Sequence, residues 1–222
     1  MNNQILVIAA HSDDETLGCG GTIVKHINDG DQVTVMFMTD GVSSRETEGD
    51  ENFRVSASNQ AMEILGVKDI RQSDFPDNKM DSVTLLDIVK VIELVIDDIK
   101  PNIVYTHYRH DLNIDHQITH QAVMTACRPQ SWLSVKEIYT FEVLSSTEWN
   151  SRSLTSFTPQ KIVNITDFWS IKVKALECYS KEMRSFPHSR SYECVEALAI
   201  LRGATFGLNK AEAFTIERLI LD

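Results

Sequence analysis

The chain has 222 residues, 42% hydrophobic and 24% charged, with a formal net charge of −11. That balance argues against a nucleic acid or an anionic membrane surface as partner, because no basic patch is present to neutralise phosphates. The length suits one domain with one sizeable core, so residues 1–222 read as a single α/β unit.

Residues 4–10 hold a continuous apolar run from Ile5 to Ala10 and read as a fully buried strand. A helix is expected over 15–29, with Leu17, Ile23, Val24 and Ile27 inward and Gly30 as its stop. A second strand at 32–38 closes on Thr39-Asp40-Gly41, and the polar stretch 43–50 reads as a loop. Helix is expected again over 53–65, ending at Gly66, followed by a short strand near Ile70. The spacing predicts a long helix over 81–99 with Val83, Leu86, Val89, Ile92 and Ile96 on its apolar face, stopped by Pro101. Residues 103–106 read as another buried strand. Strands alternating with helices predict a parallel sheet with helices on both faces, a design that places ligands at the carboxyl ends of its strands.

The second half is less regular. Strands are expected at 136–144, 161–165 and 213–221, helices at 167–183 and 192–206, and a polar loop holding Trp149 at 145–159. The four cysteines, Cys19, Cys127, Cys178 and Cys194, form no CxxC pair and read as small buried hydrophobes in a reducing compartment. The amino terminus lacks a secretory pattern, and no apolar run approaches the roughly 18 residues a membrane helix needs. These features point to the cytoplasm.

Two segments carry chemistry. His11-Ser12-Asp13-Asp14-Glu15 sits on the turn after the first strand, where burying charge is costly unless something pairs with it. A divalent metal meets that need, with an imidazole and one carboxylate as ligands and the other carboxylate free to move protons. Helix capping by Asp14 explains that residue but leaves His11 and Asp13 without a role. The second segment, His107 to His120, holds four of the seven histidines and two aspartates directly after the 103–106 strand. It lies on the same sheet edge and can bring a second imidazole to the site begun by His11 and Asp14. Two nitrogens, one oxygen and an open fourth position are the pattern of catalytic zinc. Gly18-Cys19-Gly20-Gly21 does not fit a dinucleotide fingerprint, since its third glycine would fall at Ile23; the glycines read as points of close helix–sheet packing.

With Leu17-Gly18-Cys19-Gly20-Gly21 behind it, the His11–Glu15 run resembles the signature of the PIG-L-like (LmbE-like) zinc N-deacetylases, and Asp115-His116 resembles their second metal motif. Thr39-Asp40-Gly41, Arg54, Leu65-Gly66-Val67, Arg202-Gly203 and Ala211-Glu212-Ala213-Phe214 extend the resemblance over most of the chain. It implies a Rossmann-like, mostly parallel sheet and hydrolysis of an N-acyl group, usually the N-acetyl of an amino sugar. It implies His11, Asp14 and His116 as metal ligands, Asp13 as general base and Arg54 as a substrate contact. Ser12 stands where proline is common, and Asn113 where many members carry a histidine that helps stabilise the oxyanion. The oxyanion donor here is then the Asn113 amide, His107 or His110, with Asn113 and His110 read as substrate-binding.

Asp115 is expected to orient an imidazole or to cap a helix. His120, one turn past His116, is a substitute ligand or an outer support. His188 and Arg190 are candidates for the substrate mouth or for an ordinary loop. The reading is a hydrolase that takes the N-acetyl group from an N-acetylated amino sugar or its conjugate, using zinc-activated water and Asp13. Fe2+ or another divalent metal fits the same donors. An amidohydrolase on a non-sugar N-acyl substrate and a sugar- or metal-binding protein without turnover are the rivals. The expected partner is a small N-acetyl sugar or conjugate, a homo-oligomer is compatible with the sequence, and specificity is assigned to the loops at 43–50 and 145–159 and to the C-terminal helices.

Overall fold

The computed structural model of the protein describes residues 2–41 and 50–221. One sheet is built from β1 (Gln4–Ala9), β2 (Gln32–Thr39), β3 (Asp69–Phe75), β4 (Ile103–His107), β5 (Glu137–Phe141), β6 (Lys161–Asn164) and β7 (Ala211–Leu219), in the order β3-β2-β1-β4-β5-β7-β6. The first five run parallel, while β7 pairs antiparallel with both β5 and β6. This is the α/β, mostly parallel sheet expected from the alternation of strands and helices.

The central strand shows why the sheet is covered on both sides. Ile5, Val7 and Ala9 of β1 join one core with side chains of α1 (Asp14–Asn28), α2 (Asp50–Leu65) and α5 (Trp169–Cys178). Leu6 and Ile8 point the other way, into a second core with α3 (Leu85–Ile99) and α4 (Ile114–Ala126). A strand buried on both faces reads as a continuous apolar run, which is what 5–10 shows. Helix α6 (Tyr192–Ala204) packs on β7.

Several boundaries differ from the periodicity. The helix expected over 81–99 starts at Leu85: Met80–Ser82 form a separate 3-10 turn, Val83 is extended, and the Thr84 hydroxyl accepts the Asp87 amide as N-cap. The apolar stripe is therefore Ile88, Val89, Ile92 and Ile96, and Leu86 is 61% exposed. The helix expected over 167–183 stops at Cys178, because the chain turns there and sends the Tyr179 hydroxyl to the buried carboxylate of Glu15. The last strand spans 211–219 rather than 213–221. The polar loop expected at 43–50 falls, except for its last residue, outside the described residues.

The glycine run is tightly packed, as expected. A Cβ at Gly18 would lie 2.3 Å from the Phe141 ring, and one at Gly21 2.8 Å from Ile165. The run also breaks the helix, since Cys19 departs from helical geometry (φ −146°, ψ 20°). The backbone groups freed at the break find remote partners. Lys172 Nζ donates to the Leu17 carbonyl at 2.8 Å, and Glu212 accepts the Gly21 and Thr22 amides at 2.9 and 2.7 Å.

Candidate metal centre and active site

His11 and Asp14 come from the β1–α1 turn, and His116 from the first turn of α4. Asn113 fixes that turn: its side chain accepts the Asp115 amide at 2.8 Å as N-cap. His11 Nδ1 lies 3.2 Å from Asp14 Oδ2, His116 Nε2 lies 3.1 Å from the same oxygen, and the two ring nitrogens are 3.3 Å apart. Bonds of 2.0–2.1 Å to a tetrahedral zinc put its ligands about 3.3 Å from one another. The triangle therefore has the size of one face of such a site, and it is buried.

The far sides of both rings are also settled. His11 Nε2 lies 3.1 Å from Asp115 Oδ2 and 3.2 Å from Asp77 Oδ1, and His116 Nδ1 lies 3.1 Å from Asp111 Oδ1. Ionised carboxylates only accept, so they hold a proton on the outer nitrogens and turn the inner lone pairs toward each other. Burial pushes both imidazoles down, but the surrounding carboxylates outweigh it. Asp115, Asp14 and Asp77 raise His11 to about 10, and Asp14 and Asp111 raise His116 to about 9. Burial pushes Asp14 up, yet His116, His11 and His107 carry it well below the carboxylate range. The pocket demands positive charge. Two ring protons would confront each other across 3.3 Å, whereas one divalent ion takes both lone pairs and the Asp14 oxygen. The residues fit the metal.

Asp13 sits beside this triangle in a strained conformation, φ 126°. Glu15 holds it there: Glu15 Oε2 accepts the Asp13 amide at 2.9 Å, and Oε1 accepts the Tyr179 hydroxyl at 3.0 Å. Burial raises the Asp13 carboxyl to about 6 against the pull of Arg190, whose Nη1 donates to Asp13 Oδ2 at 2.8 Å. Arg54 donates to the Gly41 carbonyl and, at 2.7 Å, to Glu182. Together with Asp77, Asn78, Ser145 and Ser146, these residues line a cavity of about 190 Å³ over the metal triangle. A larger groove of about 820 Å³ opens at the opposite, amino-terminal edge of the sheet. Its lining holds no histidine, and parallel sheets bind at the carboxyl edge.

The cavity brings together His11, Asp13, Asp14, Arg54, Asn113 and His116. It does not include His110, whose ring packs on Tyr108 and whose carbonyl accepts from Asn150. His107 is buried beneath the site: its Nε2 accepts the Ala10 amide at 2.8 Å and its ring stacks on His116, so it is no oxyanion donor. His120 turns away to the His107 carbonyl. Asp115 contacts an imidazole but caps nothing; both its oxygens also take amides, from Asn78 and Met80.

Residues 6–127 match the family model described as PIG-L, GlcNAc-PI de-N-acetylase. The chain belongs to this family. A relative in Escherichia coli K12, the uncharacterized deacetylase YaiS, is 30% identical over 179 residues, covering 78% of this chain and 88% of that protein. A probable N-acetyl-α-D-glucosaminyl L-malate deacetylase 2 of Bacillus cereus is 26% identical over 191 residues, 82% of this chain and 84% of its own. Among solved structures, the 4-carboxy-2-hydroxymuconate hydratase GalB of Pseudomonas putida KT2440 shares the fold, with a TM-score of 0.80 and 22% identity over 100% of this chain and 98% of that one. No helix among the described residues is long and apolar enough to cross a membrane.

The sequence assigns no role to Asp77 or Glu182, marks Glu15 only as part of the signature run, and leaves Asp111 and Arg190 open between the PIG-L site and an ordinary loop. Asp111 was legible in principle, as a carboxylate in the histidine-rich segment. Asp77 lies in a loop after β3 with no motif around it.

Proposed function

We propose that this PIG-L protein removes the N-acetyl group from an N-acetylated amino sugar or its conjugate, with a divalent metal held by His11, Asp14 and His116 and Asp13 as general base. The observation that carries the reading is the convergence of three metal-ligand atoms 3.1–3.3 Å apart, beside a buried carboxylate that is not one of them. Zinc, or ferrous iron in its place, supplies Lewis acidity there, polarising an amide oxygen and acidifying water.

The protein's own groups do the rest. Asp13 takes a proton from the attacking water as its oxygen adds to the acetyl carbon. It then returns the proton to the departing nitrogen as the C–N bond breaks, giving acetate and a free amine. Arg190 holds Asp13 in place from one side and the Glu15-bound backbone from the other. Arg54, steadied by Glu182, is the lining residue assigned to sugar hydroxyls, and Asn113, which lines the α4 side of the cavity and whose side-chain amide donates to Asn78 Oδ1 at 3.1 Å, is the one assigned to the acyl oxygen. Adjacent residues on one turn thereby take different work, Asp14 on the metal and Asp13 on the proton.

The test is acetate release from N-acetylglucosamine conjugates and from non-sugar N-acyl compounds. Turnover of the sugars that a chelator abolishes and zinc restores is expected. Turnover indifferent to chelation, or an Asp13→Asn protein that keeps full activity with metal bound, sinks the mechanism. Exclusive cleavage of non-sugar amides replaces the substrate class.

A further inference from the structure

We propose that Lys161 is a nucleophilic lysine that accepts an acetyl group from a small activated acetyl compound, its proton drawn off through Tyr105 to His26. The inference is independent of the deacetylase reading, since none of these residues lines the metal cavity.

His26 near the end of α1, Tyr105 of β4 and Lys161 of β6 meet in a series of directed hydrogen bonds. Asn3 fixes its far end: the Asn3 amide and side chain donate to Asp31 Oδ1 at 2.8 and 3.1 Å and leave Oδ2 to His26 Nδ1, 2.7 Å away. A carboxylate only accepts, so Nδ1 carries the ring proton. Burial holds His26 below its ordinary value against the pull of Asp31, which leaves the ring neutral and Nε2 an acceptor. Nε2 lies 3.0 Å from the Tyr105 hydroxyl, which therefore donates to it. The Tyr105 oxygen in turn accepts from Lys161 Nζ at 3.0 Å. Every bond runs one way, from Lys161 to Tyr105 to His26 to Asp31, and Asp31 lines the groove at the amino-terminal edge, where the series meets water. A base oriented by a carboxylate and linked to an amine is the arrangement that activates a nucleophile.

The groups around Lys161 give it no full charge partner. Burial pushes the Tyr105 and Tyr139 hydroxyls up, so both phenols keep their protons. Glu137, the carboxylate that acts on Lys161, is bound by the Tyr139 hydroxyl at 2.5 Å. On β7 the residue paired with Lys161 is Phe214, which is uncharged. Burial outweighs Glu137 and brings the ammonium down to about 8. Nζ stands 3.4 Å from the centre of the Tyr139 ring, and β6 is the outer strand of the sheet, where the partly buried Lys161 stays within reach of a small reagent. Beside an aromatic face and Glu137, a neutral product with a methyl group is accommodated, whereas a carbamate or a dicarboxylic acyl group would set one anion against another.

The step balances. Lys161 Nζ, having lost one proton, attacks the acetyl carbonyl carbon and forms the N–C bond. The C–O bond of an acetyl phosphate or the C–S bond of a thioester breaks, and phosphate or thiolate leaves with the electron pair. A second proton passes from the adduct through Tyr105 to His26, and the third stays as the amide N–H.

The experiment treats the full chain at pH 7.5 with acetyl phosphate or, separately, with acetyl-coenzyme A, and follows each lysine by peptide mass spectrometry. Exposed Lys68 and Lys100 are the references. The initial rate at Lys161 is expected to exceed theirs roughly tenfold and to level off above about pH 8, while theirs keep rising toward the ordinary lysine value near 10.4. His26→Gln, which cannot take up the proton, is expected to slow Lys161 roughly three- to tenfold and to leave Lys68 unchanged. Reaction with one donor alone upholds the site and names the acetyl source. A Lys161 no faster than Lys68 with either donor overturns the site, and a fast Lys161 indifferent to His26→Gln overturns the relay.

Discussion

At the start of α1, Asp13, Asp14 and Glu15 are all buried; about one and a half turns along, at the Cys19 break, Glu212 and Lys172 are buried as well. The second region is closed. Glu212 accepts two amides and the Lys172 ammonium at 2.6 Å, and Lys172 also donates to the Leu17 carbonyl, so every charge has its opposite within the protein. The first region is open. Asp14 faces two imidazoles whose inner nitrogens also face each other, and Asp13 is held at a positive φ that a non-glycine residue avoids. A buried pair that the protein completes stabilises an architecture. A buried cluster that the protein leaves short of positive charge, and strains to assemble, serves a ligand.

That contrast breaks most readily by substitution. Asp13→Asn is expected to cost roughly 10²- to 10⁴-fold in kcat, the usual weight of a general base. Metal content should be unchanged and the melting temperature should fall little, since the Asn side-chain oxygen still accepts from Arg190 Nη1 where the Asp13 carboxylate does now. A drop of several degrees would make Asp13 a structural residue like Glu212. Lys172→Met should do the converse. It strands Glu212 in the core and is expected to cost about 3–5 kcal/mol in urea unfolding, while activity per folded molecule stays within about twofold. Loss of activity at undiminished stability would join the two regions into one.

How far each region was legible follows from where its partners come from. The open site showed itself locally: an apolar strand running into His11-Ser12-Asp13-Asp14, and a histidine-rich segment behind β4, are patterns confined to a few neighbouring residues. The sheet was legible for the same reason, because burial on both faces leaves an unbroken apolar run in β1. The start of α3 was not, because Val83 and Leu86 continue the periodicity that the Thr84 cap interrupts. The partners that complete each region are tertiary. Glu212 meets Gly21 across 191 residues of chain and Arg190 meets Asp13 across 177, and no local spacing encodes either. Asp111 was visible as a polar loop residue, but its burial depends on Ser146 and Thr147 arriving from the β5 side.

Asp111 sharpens the comparison from the middle, since it is a closed carboxylate serving the open site. Ser146 and Thr147 hydroxyls and the Asn113 amide hold it while it faces His116. Asp111→Asn is expected to weaken zinc affinity roughly 10- to 100-fold, read by competition with a chromophoric chelator, with a smaller effect on folding. Unaltered affinity would remove it from the site.

The smallest effect separates adjacent glycines in the closed region. Gly→Ala within a helix gains up to about 1 kcal/mol where there is room. At Gly20 the new Cβ would meet Thr16 Cγ2 at 3.3 Å and Lys172 Cγ at 3.5 Å, contacts that ask for a shift of a few tenths of an ångström at most. At Gly21 it would meet Ile165 Cβ and Cγ2 at 2.8 Å. Ile165 has no exposed surface and its amide is bound to the Lys210 carbonyl, so that branch point cannot retreat. Gly21→Ala is therefore expected to lose about 1–2 kcal/mol net, and Gly20→Ala to be neutral or slightly stabilising, in parallel thermal melts. Equal effects at the two positions would mean that the break at Cys19 is soft. The Lys172–Glu212 pair would then be filling a flexible gap instead of fixing where α1, and with it the Asp13 turn, lies on the sheet.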